Sequence, residues 1–385
     1  MRKTLHKWHA YSALIALIPL LLISLTGSIL VFKSEIDSLL MPEKLQVNAA
    51  NTAERLPLDT LIRSVKSAHP NFEVGTWELF DDKQRSDAAY IIQHKSNDWF
   101  KVYVNQYTGD PLSTPVGLHS DFTDWLLDLH FTLLLHDAGV AVGFVVSCIL
   151  LFLAVSGLII YRKFWHRFFT LRWQSAKRIL FSDMHKMLGI IASPILLILA
   201  ITGGYWNITE LIHEFTEHAH DDTPSQVAPR YNEQLSIQRL HDKAKTRIND
   251  FTPTYLVLPY EDGMQITFFG DVPTNNPLNS EYASTVTFDS QTGEWVHQQD
   301  VRNNTTSAVI IDSFRKLHFG DFAGLLSKVV WSILGLSPLL LGFTGGYLFY
   351  KTRKMKTQSK RNRQQRQRPK TIMTSRPSWG QHTRS

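Results

Sequence analysis

Four long apolar runs divide the chain, at about Ala10 to Phe32, Gly139 to Tyr161, Met187 to Trp206 and Ala323 to Tyr350. Each is near or above the ~20 residues an α-helix needs to cross a ~30 Å hydrocarbon core, so all four predict transmembrane helices. The two polar segments between them read as α+β. Each opens with a helix-like stretch (Leu58 to Ala68; Ser236 to Ile248) and continues with alternating strands (Val74 to Phe80 and Ala88 to His94; Tyr255 to Pro259 and Met264 to Phe269). Each closes on a hairpin around a Thr-Gly turn, Tyr107-Thr108-Gly109-Asp110 or Gln291-Thr292-Gly293-Glu294.

The pattern predicts a membrane α+β protein of four transmembrane helices arranged as a tandem repeat with two external α+β domains. The expected boundaries are 1–34 for the first helix, 35–127 for the first external domain, 128–162 for the second helix and 163–182 for a link. The third helix takes 183–208, the second domain 209–315, the fourth helix 316–352, and 353–385 form a disordered basic tail.

Charge sets the orientation. The net +6 comes from Arg2, Lys3 and Lys7 before the first run, from Arg162, Lys163, Arg167, Arg172, Lys177 and Arg178 in the link, and from the tail after Lys351. By the positive-inside rule both termini and the link are cytoplasmic, and the two α+β segments lie outside. The charge is thus topological and calls for no nucleic-acid partner; the tail suits a surface of anionic lipid. The first run is too long for a signal-peptide core and lacks a small-residue cleavage site, so it is retained. Cys148 is the one cysteine, which excludes disulfides and a Cys-x-x-Cys-His covalent haem site. It reads as a packing residue.

The repeat selects four histidines. His9 precedes Thr26-Gly27 by 17 positions, as His185 precedes Thr202-Gly203; His130 precedes Ser156-Gly157 by 26, as His318 precedes Thr344-Gly345. The predicted topology puts His9 and His185 at the cytoplasmic leaflet and His130 and His318 at the outer one. Ionisable rings at membrane helix ends point to function. Neutral imidazole is a good axial ligand, and two rings from facing helices can clamp an iron porphyrin within an apolar bundle. The Thr-Gly and Ser-Gly marks read as small residues that let helices pack closely. His6 and His136 are alternates, each near a nominated ligand but unmatched in the other repeat.

A further cluster follows the third run: Glu210, His213, Glu214, Glu217, His218, His220, Asp221 and Asp222. His213 and His218 stand five apart, whereas His-Glu-x-x-His places its rings four apart, so protease chemistry is excluded. His213, Glu214, Glu217 and His218 remain a weak cation site, against the plainer reading of an acidic, solvated helix end. No Gly-x-Gly-x-x-Gly follows a strand, and the link is too short for a nicotinamide or flavin domain. Electrons must come from membrane quinol or a separate reductase.

With Trp8-His9, Asp128-Leu129-His130, Met184-His185-Lys186 and Leu317-His318-Phe319-Gly320-Asp321-Phe322 in view, roughly residues 1 to 352 resemble the PepSY-associated transmembrane family. These are iron-regulated bacterial inner-membrane proteins that include the PiuB and FoxB types. The resemblance implies four helices, periplasmic PepSY-like domains and, in the FoxB-like branch, two b-type haems with bis-histidine ligation and reduction of ferric siderophores. Carried over residue by residue, the implied ligands are His9, His185, His130 and His318. The expected activity is reduction of ferric iron, free or siderophore-bound, at the periplasmic face.

Overall fold

The computed structural model describes residues 2–48, 54–163, 170–217 and 228–367. The first apolar run forms two helices, α1 (Arg2–Ile15) and α2 (Leu17–Leu30), bent by 67° at Ala16. Pro19 accounts for the bend, because its ring clashes with the carbonyl four residues back, at Ile15. Next come α3 (Lys33–Leu40), α4 (Pro42–Leu45), α5 (Leu58–Ala68) and the strands β1 (Phe72–Glu78), β2 (Asp87–Gln93), β3 (Trp99–Val104) and β4 (Val116–Gly117). Helices α6 (Phe122–Phe131), α7 (His136–Ile160) and α8 (Lys177–Glu217) lead to the second copy. That copy contains α9 (Ile237–Arg247), β5 (Thr252–Val257), β6 (Ile266–Asp271), β7 (Ser284–Phe288), β8 (Trp295–Gln299), α10 (Thr306–Phe319), α11 (Gly324–Gly335) and α12 (Ser337–Gln367).

Among the described residues three helices are long and apolar enough to cross a membrane, or four if the bent pair α1 and α2 is one span. Several expected boundaries move. The second span begins at His136, after a break over 132–135 in which Leu133 and Leu134 have positive φ. The third helix runs from Lys177 to Glu217, beyond both expected ends. The expected disordered tail is helical through Gln367, since it is rich in Lys, Arg and Gln, all strong helix formers. Residues 368–385 lie outside the described residues. Cys148, read as a packing residue, is exposed on α7.

The two expected external domains are one. All eight strands form a single antiparallel sheet in the order β4-β3-β2-β1-β5-β6-β7-β8, joined at the centre by pairing of Thr76, Trp77 and Glu78 with Val257, Leu256 and Tyr255. The cause is in β1, whose five central residues are all buried. As a free edge it would expose apolar side chains and unpaired backbone groups, and pairing with β5 removes two such edges at once. One core runs through both copies, from Leu61, Val74, Trp77 and Ile91 to Leu240, Leu256, Phe268 and Val286.

The helices on the sheet exchange caps. Asp59, at the start of α5, accepts from the backbone N–H of Ile237 (2.6 Å) and the Ser236 hydroxyl (2.6 Å), while Gln238 of α9 accepts from the N–H of Leu58 (3.0 Å). Both Thr-Gly turns form as expected, with Gly109 at φ +81° and Gly293 at φ +70°, backbone conformations that favour glycine.

Candidate functional site

The sheet-side histidines are presented by short helices rather than by the spans themselves. His130 is the second-last residue of α6 and His318 the second-last of α10. Gly320 ends α10 in the left-handed conformation, its N–H bonding the Lys316 carbonyl at 2.9 Å. The Trp331 ring lies against Gly320, where a Cβ would meet it at 2.5 Å, and the indole N–H donates to the Leu317 carbonyl at 2.7 Å. Leu-His-Phe-Gly is thus a helix end locked by an aromatic ring from α11.

Ion pairs fasten both short helices to the sheet domain. On α6, Asp124 receives Lys101 of β3 (2.6 Å) and Lys33 (2.7 Å). Burial pushes the Asp124 carboxyl up, but the attraction of Lys101 and Lys33 wins and holds it below the usual range. On α10, Arg315 and Lys316 both pair with Glu281 at 2.9 Å.

The four histidines share one local geometry. His130 Nδ1 lies 3.1 Å from Thr26 Oγ1, and His318 Nδ1 lies 2.8 Å from Thr202 Oγ1. At the other end of the bundle His9 Nδ1 is 2.8 Å from Ser156 Oγ, and His185 Nδ1 is 3.0 Å from Thr344 Oγ1. The glycine after each hydroxyl makes room for the ring: a Cβ on Gly27, Gly345, Gly203 or Gly157 would stand 2.6, 3.2, 3.4 or 3.6 Å from the Cε1 of His130, His185, His318 or His9. The Thr-Gly and Ser-Gly marks, read from the sequence as packing alone, are therefore imidazole cradles. Repetition of a hydroxyl before glycine at all four marks was the available signal, since packing needs only a small residue.

The bonding assigns the tautomer. Thr26, Thr202 and Thr344 each donate their single hydroxyl proton to the carbonyl four residues back, at 2.7–2.8 Å, so they can only accept from the ring. The Ile23 carbonyl, 3.0 Å from His130 Nδ1, is also an acceptor only. Nδ1 carries the proton, and the Nε2 lone pair remains for a metal.

One of the two pairs the repeat selects meets ring to ring. His130 and His318 have centroids 6.3 Å apart with planes at 58°. A metal–imidazole bond of about 2.0–2.1 Å, plus about 1.1 Å from nitrogen to ring centre, places two axial ligands of one iron roughly 6.2–6.4 Å apart. The sheet-side pair has that separation. His9 and His185 both lie at the end of the bundle remote from the sheet, each against its own hydroxyl. His6 is exposed on α1 and has no cradle; His136 is exposed at the first turn of α7 and does not join the sheet-side pair. Of the expected cation site, the side chains of His213 and Glu214 are described, whereas the Glu217 side chain and His218 lie outside the described residues. Among the described residues no three His, Cys, Asp or Glu converge as a metal site.

The family profile described as the PepSY-associated TM region matches residues 6–352. The chain belongs to the PepSY-associated transmembrane family. Membership and the long apolar helices make this a membrane protein. The PepSY-associated region takes in the four histidines and their cradles, and stops where the basic end of α12 begins. No curated protein matches the chain.

Proposed function

We propose that this is a haem-b electron-transfer protein of a bacterial inner membrane that reduces ferric iron, free or siderophore-bound, on the side carrying the sheet. In this reading the chain spans four times, both termini are cytoplasmic, and the sheet domain is periplasmic. The charge distribution supports it: Arg2, Lys3, Lys7, Arg162, Lys163, Arg172, Lys177, Arg178 and the basic end of α12 all lie away from the sheet.

One observation carries the proposal. Four imidazoles, paired at opposite ends of an apolar bundle, are each held through Nδ1 by a hydroxyl from a neighbouring helix, and for His130, His185 and His318 that hydroxyl can only accept, so that their Nε2 atoms stay available. A histidine that merely anchored an interface would have no need of a fixed tautomer. His130 and His318 would hold one haem, His9 and His185 the other. Haem supplies a one-electron couple at each level when bound.

The chain's own residues do the remaining work. The hydroxyls fix ring rotation and proton position, the glycines let the rings approach the helix axes, and the ion pairs of Asp124 and Glu281 hold the sheet-side ligands in register with the outer domain. Electron flow toward the sheet side is favoured by about 2.3 kcal/mol per 100 mV of membrane potential. Quinol or a separate reductase would be the donor.

A reduced-minus-oxidised optical spectrum with a pyridine haemochrome assay on protein expressed with ample haem tests the reading, with two haems per chain expected. Absence of haem would end it. His185→Ala should remove the haem remote from the sheet and spare the other; loss of both would break the pairing. Dithionite-reduced protein should then reduce a ferric siderophore. A peptide- or protease-binding role is favoured by one feature, the edge strand β8 with Trp295 and Val296 exposed. A haem-free protein that binds extended peptides would establish that role instead.

A further inference from the structure

The span that cradles His185 does not stop at the membrane. Helix α12 is continuous from Ser337 to Gln367, and seven of the thirteen residues from Lys351 to Arg363 are Lys or Arg, with no Asp or Glu among them. Residues 353–364 are all exposed. Lys351 and Arg353 lie over the Tyr347 and Phe349 rings, 5.7 and 4.8 Å from their centroids, which leaves Lys354, Lys356, Lys360, Arg361 and Arg363 beyond them. Phe181, on the helix that carries His185, stacks edge-on against Phe343 and Tyr347 of α12. The cationic extension is therefore a rigid continuation of the element that holds one histidine of the pair remote from the sheet.

The outer part of this charge stands clear of lipid. At 1.5 Å per residue, Lys354 and Lys356 stand about 6 and 9 Å along the axis from Tyr350, whereas Lys360, Arg361 and Arg363 stand about 15–20 Å from it. The outer three lie beyond the Debye length of about 8–10 Å over which a headgroup layer attracts at physiological salt. From Lys356 to Arg363 there is no Leu, Phe or Trp to insert, so the helix has no face with which to lie in the interface. A dense, unopposed positive surface at this height fits an acidic macromolecule in the aqueous phase.

We propose that residues Lys354 to Arg363 of α12 form the docking site for an acidic soluble one-electron donor protein, which would reduce the haem held by His9 and His185. This rests on the function proposed above. Binding would be governed by long-range attraction and orientation and would be strongly salt-dependent.

The test uses full-length protein in nanodiscs of neutral phosphatidylcholine, with an acidic flavodoxin in its oxidised form as the probe. Binding is compared for the native chain and for Lys354→Gln, Lys356→Gln, Lys360→Gln and Arg361→Gln combined, glutamine being an equally good helix former. The native chain should bind at about 50 mM salt and the variant at least tenfold more weakly, and the two should converge near 1 M salt, where the Debye length is about 3 Å. Reduction by the reduced flavodoxin should slow in parallel, while reduction by dithionite and the haem spectrum stay unchanged. Equal binding by both proteins would overturn the proposal. So would native protein in neutral discs that captures phosphatidylglycerol vesicles, the variant not, while ignoring flavodoxin, which would give the helix to lipid. Binding is read without any electron transfer, so a haem-free chain sinks the proposed function, whereas a haem-loaded chain that ignores flavodoxin sinks this inference alone.

Discussion

Replacing the four cradle glycines by alanine, one at a time, separates an imidazole cradle from ordinary helix packing, because one chemical change meets four different gaps. The added methyl would stand 2.6 Å from His130 Cε1 at Gly27, but 3.6 Å from His9 Cε1 at Gly157, an ordinary contact. His130 cannot swing away, since its Nδ1 is bonded to both Ile23 and Thr26. Overpacking costs about 1–3 kcal/mol, of which the upper part, about 2–3 kcal/mol, applies to a fixed ring met at 2.6 Å, and alanine in a helix returns about 0.8–1 kcal/mol relative to glycine. Gly27→Ala should therefore lose about 1–2 kcal/mol net, equivalent to a roughly 5–30-fold weaker hold on the sheet-side haem at 1.4 kcal/mol per tenfold. Gly157→Ala should keep its haem and match or exceed the native thermal stability. Gly345→Ala and Gly203→Ala, with gaps of 3.2 and 3.4 Å, should fall between. The assay is haem titration of the apoprotein in detergent, followed by absorbance, with haemochrome stoichiometry as a check. The reasoning fails if Gly157→Ala is as damaging as Gly27→Ala, or if Gly27→Ala binds two haems with native affinity.

Thr202→Val should weaken the sheet-side haem about 10–100-fold, the usual effect of removing a ligand's hydrogen-bond partner, whereas Thr26→Val should do less because the Ile23 carbonyl still receives His130 Nδ1–H; equal losses in the same titration would refute the bonding scheme. Asp59→Ala removes the cap that the first copy lends to α9 and should cost the sheet domain about 1–2 kcal/mol in denaturant unfolding; a change below a few tenths would show that the exchanged cap is idle. Burial pushes Glu281 up, but Arg315 and Lys316 outweigh it and bring its carboxyl from the usual 4.5 down to about 2. A depressed carboxylate stabilises the fold above its unfolded value and ceases to do so as pH falls through its folded value, so this contribution should fade between about pH 4.5 and 2. Thermal melts of Glu281→Gln should show lower stability at neutral pH and a shallower fall across that window; an unchanged slope would show that the ion pair is not coupled to folding.

Much of this was legible because periodicity and repetition are local properties of a sequence. The sequence bounds Leu58–Ala68 as a helix, places both Thr-Gly turns and, through the histidine spacing, matches His130 with His318. What escaped was long-range. Nothing in Thr76-Trp77-Glu78 announces that its partner lies in Tyr255-Leu256-Val257, because a strand buried on both faces looks the same at the centre of one sheet as of another. Thr26 and Thr202 were assigned to packing because a threonine's bond to its own helix carbonyl hides its second role as acceptor. The spacings of 17 and 26 differ because the longer interval includes the break after Phe131 or Phe319.

The seam between β1 and β5 has a consequence for symmetry. Its register brings equivalent strands of the two copies together antiparallel, and the caps exchanged between α5 and α9 cross the same line. Either half by itself would carry an apolar strand edge, a helix end wanting a cap and one member of each histidine pair. Two identical halves would meet all three needs by associating about a twofold axis. The tandem chain thus has the arrangement of a homodimer whose subunits are joined end to end, with each histidine pair drawn from both halves.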